Sequence, residues 1–592
     1  MEKMVGLSRC WLLWALMMIP GVSSWAAPAV VTDADVIFKS AASAPDMDSL
    51  FAKAEDAADG ENPDWQSIAA WYRQAAEQGH AEAQYRLAEC YHDGKGVTVD
   101  LGQMLQWLRR AAEQGMIRAQ ASLGLVYWYG EGVPEDDKEA IKWLMQAAEQ
   151  DDENARNALS LYAYQNFDEI LARATGGDAQ SQVQVGLCYL HGRGTDKDME
   201  QAIKWLGMAA AQGSADGQYY LGYRYFNGDT GSRDLVTAVK YFRMAADQND
   251  GGGQTALGLC YLNGQGVPKD LATSANWYRK AAEQNNVNAQ NTVGYFYLNG
   301  FGYDRDETQA VYWFIKAARC GSAVAQTNLA MCYLNGRGVA RDMDKAVWLY
   351  RRTAELGYAE SERLLALLYA AGEGVPRNIT EAIKWLRRSA EHGDSQAQDR
   401  LGFCYLNGQG VERDVDQALR WFRLAAAQGN PLAMTNLGIC YMNGEGVEKN
   451  PEEAFKYFNL AAELGHADAQ NKLGFFYLNG IGVQTDPEAG VKWFRKAAEQ
   501  GNPAAQANLA LCYERGMGVD KNLPLAAQWY QKSAEQNYPE AQYKLALHYY
   551  NGAGVTKNLD EAIRWATKAV QGGYPDAKKA LEFMQADKAS EH

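Results

Sequence analysis

The sequence predicts an all-α solenoid of about thirteen 36-residue antiparallel helix pairs, and three observations predict it. The first is a strict recurrence. The second glycine of a GxGV-like turn falls at Gly266, Gly302, Gly338, Gly374, Gly410, Gly446, Gly482, Gly518 and Gly554, every 36 residues, with earlier copies at Gly96, Gly132 and Gly194. A fixed period of this size marks a repeat array in which each unit packs only on its neighbours. The second is that each period holds two apolar stripes at 3–4 residue spacing, the signature of two amphipathic helices. The third is a recurring small residue, Gly or Ala at position eight of every full unit, expected opposite a recurring Trp such as Trp421. Small against large is interlocking core packing, not a ligand cage.

Residues 1–26 read as a signal peptide. Lys3 and Arg9 precede the apolar run Trp11–Ile19, Pro20-Gly21 breaks it, and Ser24-Trp25-Ala26 supplies a small-x-small cleavage site. Residues 27–63, rich in Ala, Asp and Pro, read as a linker with room for one helix. A lone helix at about 64–78 opens an N-terminal arm, 64–178, with full units at 81–116 and 117–152. That arm ends in a truncated unit at 153–178, which lacks the glycine turn and is expected to divide the rod. Eleven regular units fill 179–574, and 575–592 is a C-terminal cap and tail.

Unit 395–430 shows why each element forms. Ala397, Leu401, Gly402, Cys404 and Tyr405 make the first apolar stripe, and Asn407-Gly408 ends that helix in a left-handed cap. Gly410 permits the reversal, and Asp414 is placed to cap the second helix. That helix buries Ala418, Trp421, Phe422, Ala425 and Ala426 and ends at Gly429. Asn430-Pro431, Asn450-Pro451, Asp486-Pro487 and Asn502-Pro503 are cap-then-proline starts.

The pattern AxAQxxLGxxYxxGxGVxxDxxxAxxWxxxAAxxG resembles the Sel-1-like repeat, a relative of the tetratricopeptide repeat, over about 81–585. The resemblance implies a right-handed α/α superhelix that acts as a protein-binding adaptor, its first helices lining the concave face. Exported bacterial members are linked to envelope assembly and host contact. A cysteine-rich subset is associated with penicillin binding and weak hydrolysis, and it pairs cysteines within each unit. This chain lacks the second cysteine set, so that chemistry does not carry over.

Charge and cysteines narrow the function further. A net charge of −16 without a basic run argues against nucleic acid and mildly favours basic partners. Cys90, Cys188, Cys260, Cys332, Cys404, Cys440 and Cys512 share one phase of the repeat and read as small buried apolar residues. Cys320, near a helix end, is expected at the surface. No SxxK, GxSxG, HExxH, Walker-type or Rossmann-type motif is present, so no catalytic residue, cofactor or metal ligand is assigned. No run after the signal region reaches the length of a membrane span.

The expected function is therefore an exported, periplasmic or secreted, non-catalytic scaffold that binds proteins or peptides, with the oligomeric state left open. The alternatives are a carbohydrate or cell-wall-fragment binder and, by family association, a weak β-lactam hydrolase. Candidate binding residues lie on the first helices. At positions five and six stand Asn291, Asn328, Asn436, Asn471 and Asn508, whose amides could clamp an extended peptide or bond between adjacent units. Toward the N-terminal end the face is aromatic, with Tyr85, Trp128, Tyr219, Tyr220 and Tyr223. Apolar residues at positions nine and twelve, among them Leu259, Tyr295, Phe403, Phe475, Leu262, Leu298 and Leu334, either pack on the preceding unit or line the groove.

Overall fold

The computed structural model describes residues 46–58, 63–150 and 152–590. The signal region 1–26 and residues 27–45 lie outside them. Among the described residues every regular element is a helix, and consecutive helices pack pairwise. The chain divides into two compact units, Met1–Arg233 and Asp234–His592.

In the first unit, helix Met47–Ala58 packs on helix Trp65–Glu77, so the latter is not alone. Leu50, Phe51 and Ala54 are buried, and Phe51 lies 4.4 Å from the His80 ring. The Tyr72 hydroxyl donates to Glu55 at 2.6 Å. Two regular pairs follow, Ala81–Asp93 with Leu101–Glu113 and Ile117–Tyr129 with Asp137–Glu149. Then a single 23-residue helix, Glu153–Thr175, stands where a pair would be. Without a glycine turn the chain never reverses, and this helix packs against both Asp137–Glu149 and Ala179–His191. The second unit holds Leu235–Asp247, nine pairs between Gly251 and Gln571, and a final helix Ala577–Ser590 that buries Met584.

The local causes are those read in the sequence. Asp414 accepts from the Gln417 amide, and Asn430, Asn450, Asp486 and Asn502 cap helices that begin with proline. First helices end on left-handed glycines, as at Gly408 with φ 67°. The second glycine of each turn has a further reason to lack a side chain. A Cβ on Gly302 would sit 2.1 Å from the Leu271 carbonyl oxygen, and one on Gly338 2.0 Å from that of Glu307. Each turn thus lies directly on the first turn of the preceding unit's second helix.

The partner of position eight is not the Trp. A Cβ on Gly402 would meet the Phe422 ring at 2.8 Å, one on Gly294 the Phe314 ring at 2.7 Å, and one on Gly474 the Phe494 ring at 2.7 Å. The residue after the Trp fills that gap, because one step along a helix turns the side chain by about 100°. The Trp itself seals the seam between units. Trp493 and Tyr457 pack at the margin of a cluster of Met434, Ala461, Ala462, Ala469 and Leu473. Several of these rings carry a cation one turn on, such as Lys496, 4.0 Å from the Trp493 ring centre.

A glutamine ladder ties the helices together, and it was not read from the sequence. Gln398 donates to the Ala390 carbonyl at 2.9 Å and accepts from Gln428 at 2.8 Å. Gln470 with Gln500 and Gln506 with Gln536 repeat the arrangement. The pairing is not universal, since Cys320, Leu356, Leu464 and Gly572 stand where other units carry the second glutamine, and in one unit ionisable groups take both places. There Glu362, fully buried, takes the place of the first glutamine and His392 that of the second, at 2.8 Å, with Arg388 at 3.1 Å.

The described cysteines are free thiols, buried except for half-buried Cys404. Burial pushes the thiols of Cys90, Cys188, Cys332, Cys440 and Cys512 up to about 11. Cys320 is buried as well, against the expectation from sequence. It is the C-cap of helix Glu307–Arg319, where the chain turns inward toward the next unit.

Candidate binding surface

A first helix presents two faces. One carries the pair core, and the other holds positions two, five, six, nine and thirteen, which fall on one stripe at helical spacing. Consecutive first helices lie side by side, so the stripes adjoin.

The candidate asparagines sit at those joints and bond to one another. Asn328 donates to Asn291 at 2.9 Å, Asn508 to Asn471 at 2.8 Å, and Asn436 to the Asp399 carboxylate at 2.8 Å. Each bond runs from position six of one unit to position five of the unit before. Three separate inter-unit ties result, the third completed by an aspartate, where the sequence suggested a single row. Burial raises the Asp399 carboxyl to about 6, against the opposing pull of the Asn436 bond.

The aromatic candidates divide. Tyr219 lies 5.1 Å from both the Tyr220 and Tyr223 rings, so these three form one cluster on helix Ala215–Asn227. The Tyr220 hydroxyl donates to Glu149 at 3.3 Å, reaching past the long single helix. Trp128 belongs elsewhere, stacked on Tyr129 at 5.3 Å and edge-on to Tyr162 of that helix at 5.8 Å. Tyr85 is half-buried beside Glu89 and Ser122, and burial raises its hydroxyl pKa. The structure does not join the five into one patch.

The apolar rows separate as well. At position twelve Leu262 and Leu298 are buried, and Leu334 is half-buried. Position nine differs. From Leu259 through Tyr295, Phe403 and Phe475 to Leu547, every unit of 251–574 places an apolar side chain there, and none of the nine is buried. Phe403 and Phe475 are the most open, each 45% exposed. The other seven are half-buried, so the row opens to solvent most at these two rings. A second, sparser row, including Leu424 and Leu460, is exposed on the second helices.

The histidines serve structure. His80 caps its helix by accepting from the Ala83 amide at 3.2 Å, and His466 hydrogen-bonds Thr435 at 2.9 Å. Among the described residues no group of three His, Cys, Asp or Glu side chains is placed to hold a metal, and no helix is long and apolar enough to cross a membrane.

Compared with known proteins, the chain matches the Sel1 repeat model fourteen times, at 69–80, 81–116, 117–152 and in near-continuous copies over 179–574. Among solved structures it is similar to a protective antigen of uropathogenic Escherichia coli strains displaying an SLR fold. The two share 35% identity over 71% of this chain and 91% of the other, with a TM-score of 0.46. It is also similar to a Sel1 repeat protein from Oxalobacter formigenes, 31% identical over 52% of this chain and 90% of that one, with a TM-score of 0.41. No curated protein sequence matches it.

Proposed function

The chain belongs to the Sel1 repeat family, and on that premise we propose that it is an exported, non-catalytic scaffold that binds a protein or peptide along the stripe of its first helices. The observation that carries this reading is the uncovered apolar row at position nine, with Phe403 and Phe475 as its most open members. Aromatic anchors held on rigid helices lose little conformational freedom on binding, which favours them as contact points. The inter-unit ties at Asn328, Asn436 and Asn508 hold that row at fixed spacing. Export rests on the basic start, apolar run and small-x-small site within residues 1–26.

Affinity capture from an envelope or secretory fraction tests the reading, with three baits covering 27–592. The first is unaltered, the second carries Phe403→Ala with Phe475→Ala, and the third Leu424→Ala with Leu460→Ala on the second helices. Partners lost from the second bait alone are the expected result. Partners retained by all three would remove the position-nine row from the site. N-terminal sequencing of the fractionated native protein tests export, and an intact Met1 in a cytosolic fraction would overturn it.

A further inference from the structure

The first-helix stripe of this acidic chain carries a spaced series of cations. Position six holds Arg400, Lys472 and Lys544 in every second unit, while the intervening units hold Asn436 and Asn508. The two sets behave differently. The asparagines are tied to Asp399 and Asn471 across the unit joint. By the same register Arg400 and Lys472 follow Arg363 and Thr435, neither of which offers a carboxylate. Arg363 is itself engaged with Asp394 at 3.1 Å. Arg400 is exposed and acts on the neighbouring Asp399 carboxyl through its charge, and Lys472, with Asp468 one turn before it, approaches the Phe458 ring at 5.8 Å.

Each of these cations stands one helical turn before an open aromatic ring, Arg400 before Phe403 and Lys472 before Phe475. The acids of the same stripe are partly occupied. Asp399 accepts from Asn436, and Asp468 accepts from Asn502 at 2.6 Å. Lys544 has Glu540 one turn before it, as Lys472 has Asp468, and Leu547 instead of a ring one turn after, so it is the weakest of the series.

We propose that Arg400 with Phe403 and Lys472 with Phe475 form two equivalent subsites for an extended acidic peptide, each taking a carboxylate beside an apolar side chain. This rests on the scaffold reading above and names the chemistry of its partner. Charge complementarity selects the occupant, because a chain of net charge −16 presents cations with no hydrogen-bonded acid beside its two most open position-nine rings. The spacing follows from packing. Neighbouring helices lie about 8–10 Å apart, so subsites two units apart are separated by roughly 20 Å. An extended chain advances about 3.3 Å per residue, which places successive acidic-apolar pairs about six residues apart.

Fluorescence anisotropy on residues 27–592 tests this with three labelled 14-residue peptides in a Ser/Gly background. One carries two Asp-Phe pairs six residues apart, one the same pairs three apart, and one Asn-Phe pairs six apart. Because an exposed charge pair contributes modestly, each cation should be worth about threefold in affinity and the two together about tenfold. The six-spaced Asp-Phe peptide should bind about tenfold tighter than the other two and weaken with salt. Arg400→Gln with Lys472→Gln should abolish that difference with helical circular dichroism unchanged, and Arg400→Lys with Lys472→Arg should restore it. Equal binding of Asp and Asn peptides, or an Asp preference that survives the double substitution, would overturn the proposal. Asn-Phe binding lost in Phe403→Ala with Phe475→Ala, without any Asp effect, would overturn the charge assignment and leave the scaffold reading standing. No peptide binding at all would overturn both subsites. Cation-dependent binding to phosphatidylcholine–phosphatidylserine vesicles without peptide binding would reassign the stripe to an anionic lipid surface.

Discussion

The Asn436 side chain donates to the carboxylate of Asp399 across a unit joint, at 2.8 Å, and Asp399 is only 7% exposed. Elsewhere the same joint is closed by two neutral amides, Asn328 on Asn291 and Asn508 on Asn471. Of these three joints, one therefore carries a carboxylate that the other two lack.

Burial raises the Asp399 carboxyl from its ordinary value near 3.8 to about 6. Below the ordinary value the group is protonated in both folded and unfolded chains and stability is unaffected. Between the two values only the folded chain holds the proton, so stability falls as pH rises, and the full cost is present above about 6. Asp399→Asn keeps the hydrogen bond and removes the charge. It should stabilise the fold by about 1–3 kcal/mol at pH 7.5 and by nothing below pH 4, read from urea unfolding at both values. An equal gain at both would show that ionisation is not the cause.

The buried Glu362 with His392 and Arg388 replaces a neutral glutamine pair. Buried ion sets are often no more stable than well-bonded neutral replacements, whereas removing one member is costly. Glu362→Gln with His392→Gln should rebuild the ladder and leave unfolding free energy within about 1 kcal/mol or raise it, while Glu362→Ala should cost about 3–5 kcal/mol. A large loss in the double variant would mean that this unit needs its charges.

Gly402 lies where a Cβ would approach the Phe422 ring to 2.8 Å. Gly402→Ala should destabilise by about 1–3 kcal/mol through overpacking. Phe422→Leu should recover part of that loss, since the 359–394 unit already pairs Ala366 with Leu386 in the same register. Additive effects of the two changes in a thermal-unfolding cycle would rule out direct contact.

Among the described residues the thiols are free, and burial raises most of them out of the reactive range. Native protein at pH 8 should react with a colorimetric disulfide reagent first at half-buried Cys404, with the remaining thiols released on unfolding. Rapid reaction of several thiols in the native state would contradict the burial seen here.

Period, caps and turns were legible because each depends on residues adjacent in sequence. Asn407-Gly408, Gly410 and Asp414 act within a few residues of themselves, and the structure keeps them in those roles. What failed depended on direction across the fold. Trp421 and Phe422 are neighbours in sequence, yet only a three-dimensional pair shows which one faces Gly402. The asparagines at positions five and six left two uses open, and the joint between units decides for mutual bonding. The glutamine ladder left a trace, since Gln398 and Gln428 both recur through the array, as in Gln470 and Gln500. The paired exchange to Glu362 and His392 within one unit was the clearest sign that the two positions touch.

The turn glycines set over the preceding unit, as Gly302 is over Leu271 and Gly338 over Glu307, give neighbouring units a recurring backbone seat. Excising 36 residues in phase would bring the same backbone seats together again, so the main chain is indifferent to the number of units. The cations at position six do not share that indifference. They alternate, and losing the single unit between Arg400 and Lys472 would set them about 10 Å apart and place Lys472 where Asn436 now meets Asp399. If the proposed subsites are right, the number of units is free for the main chain but counted for recognition.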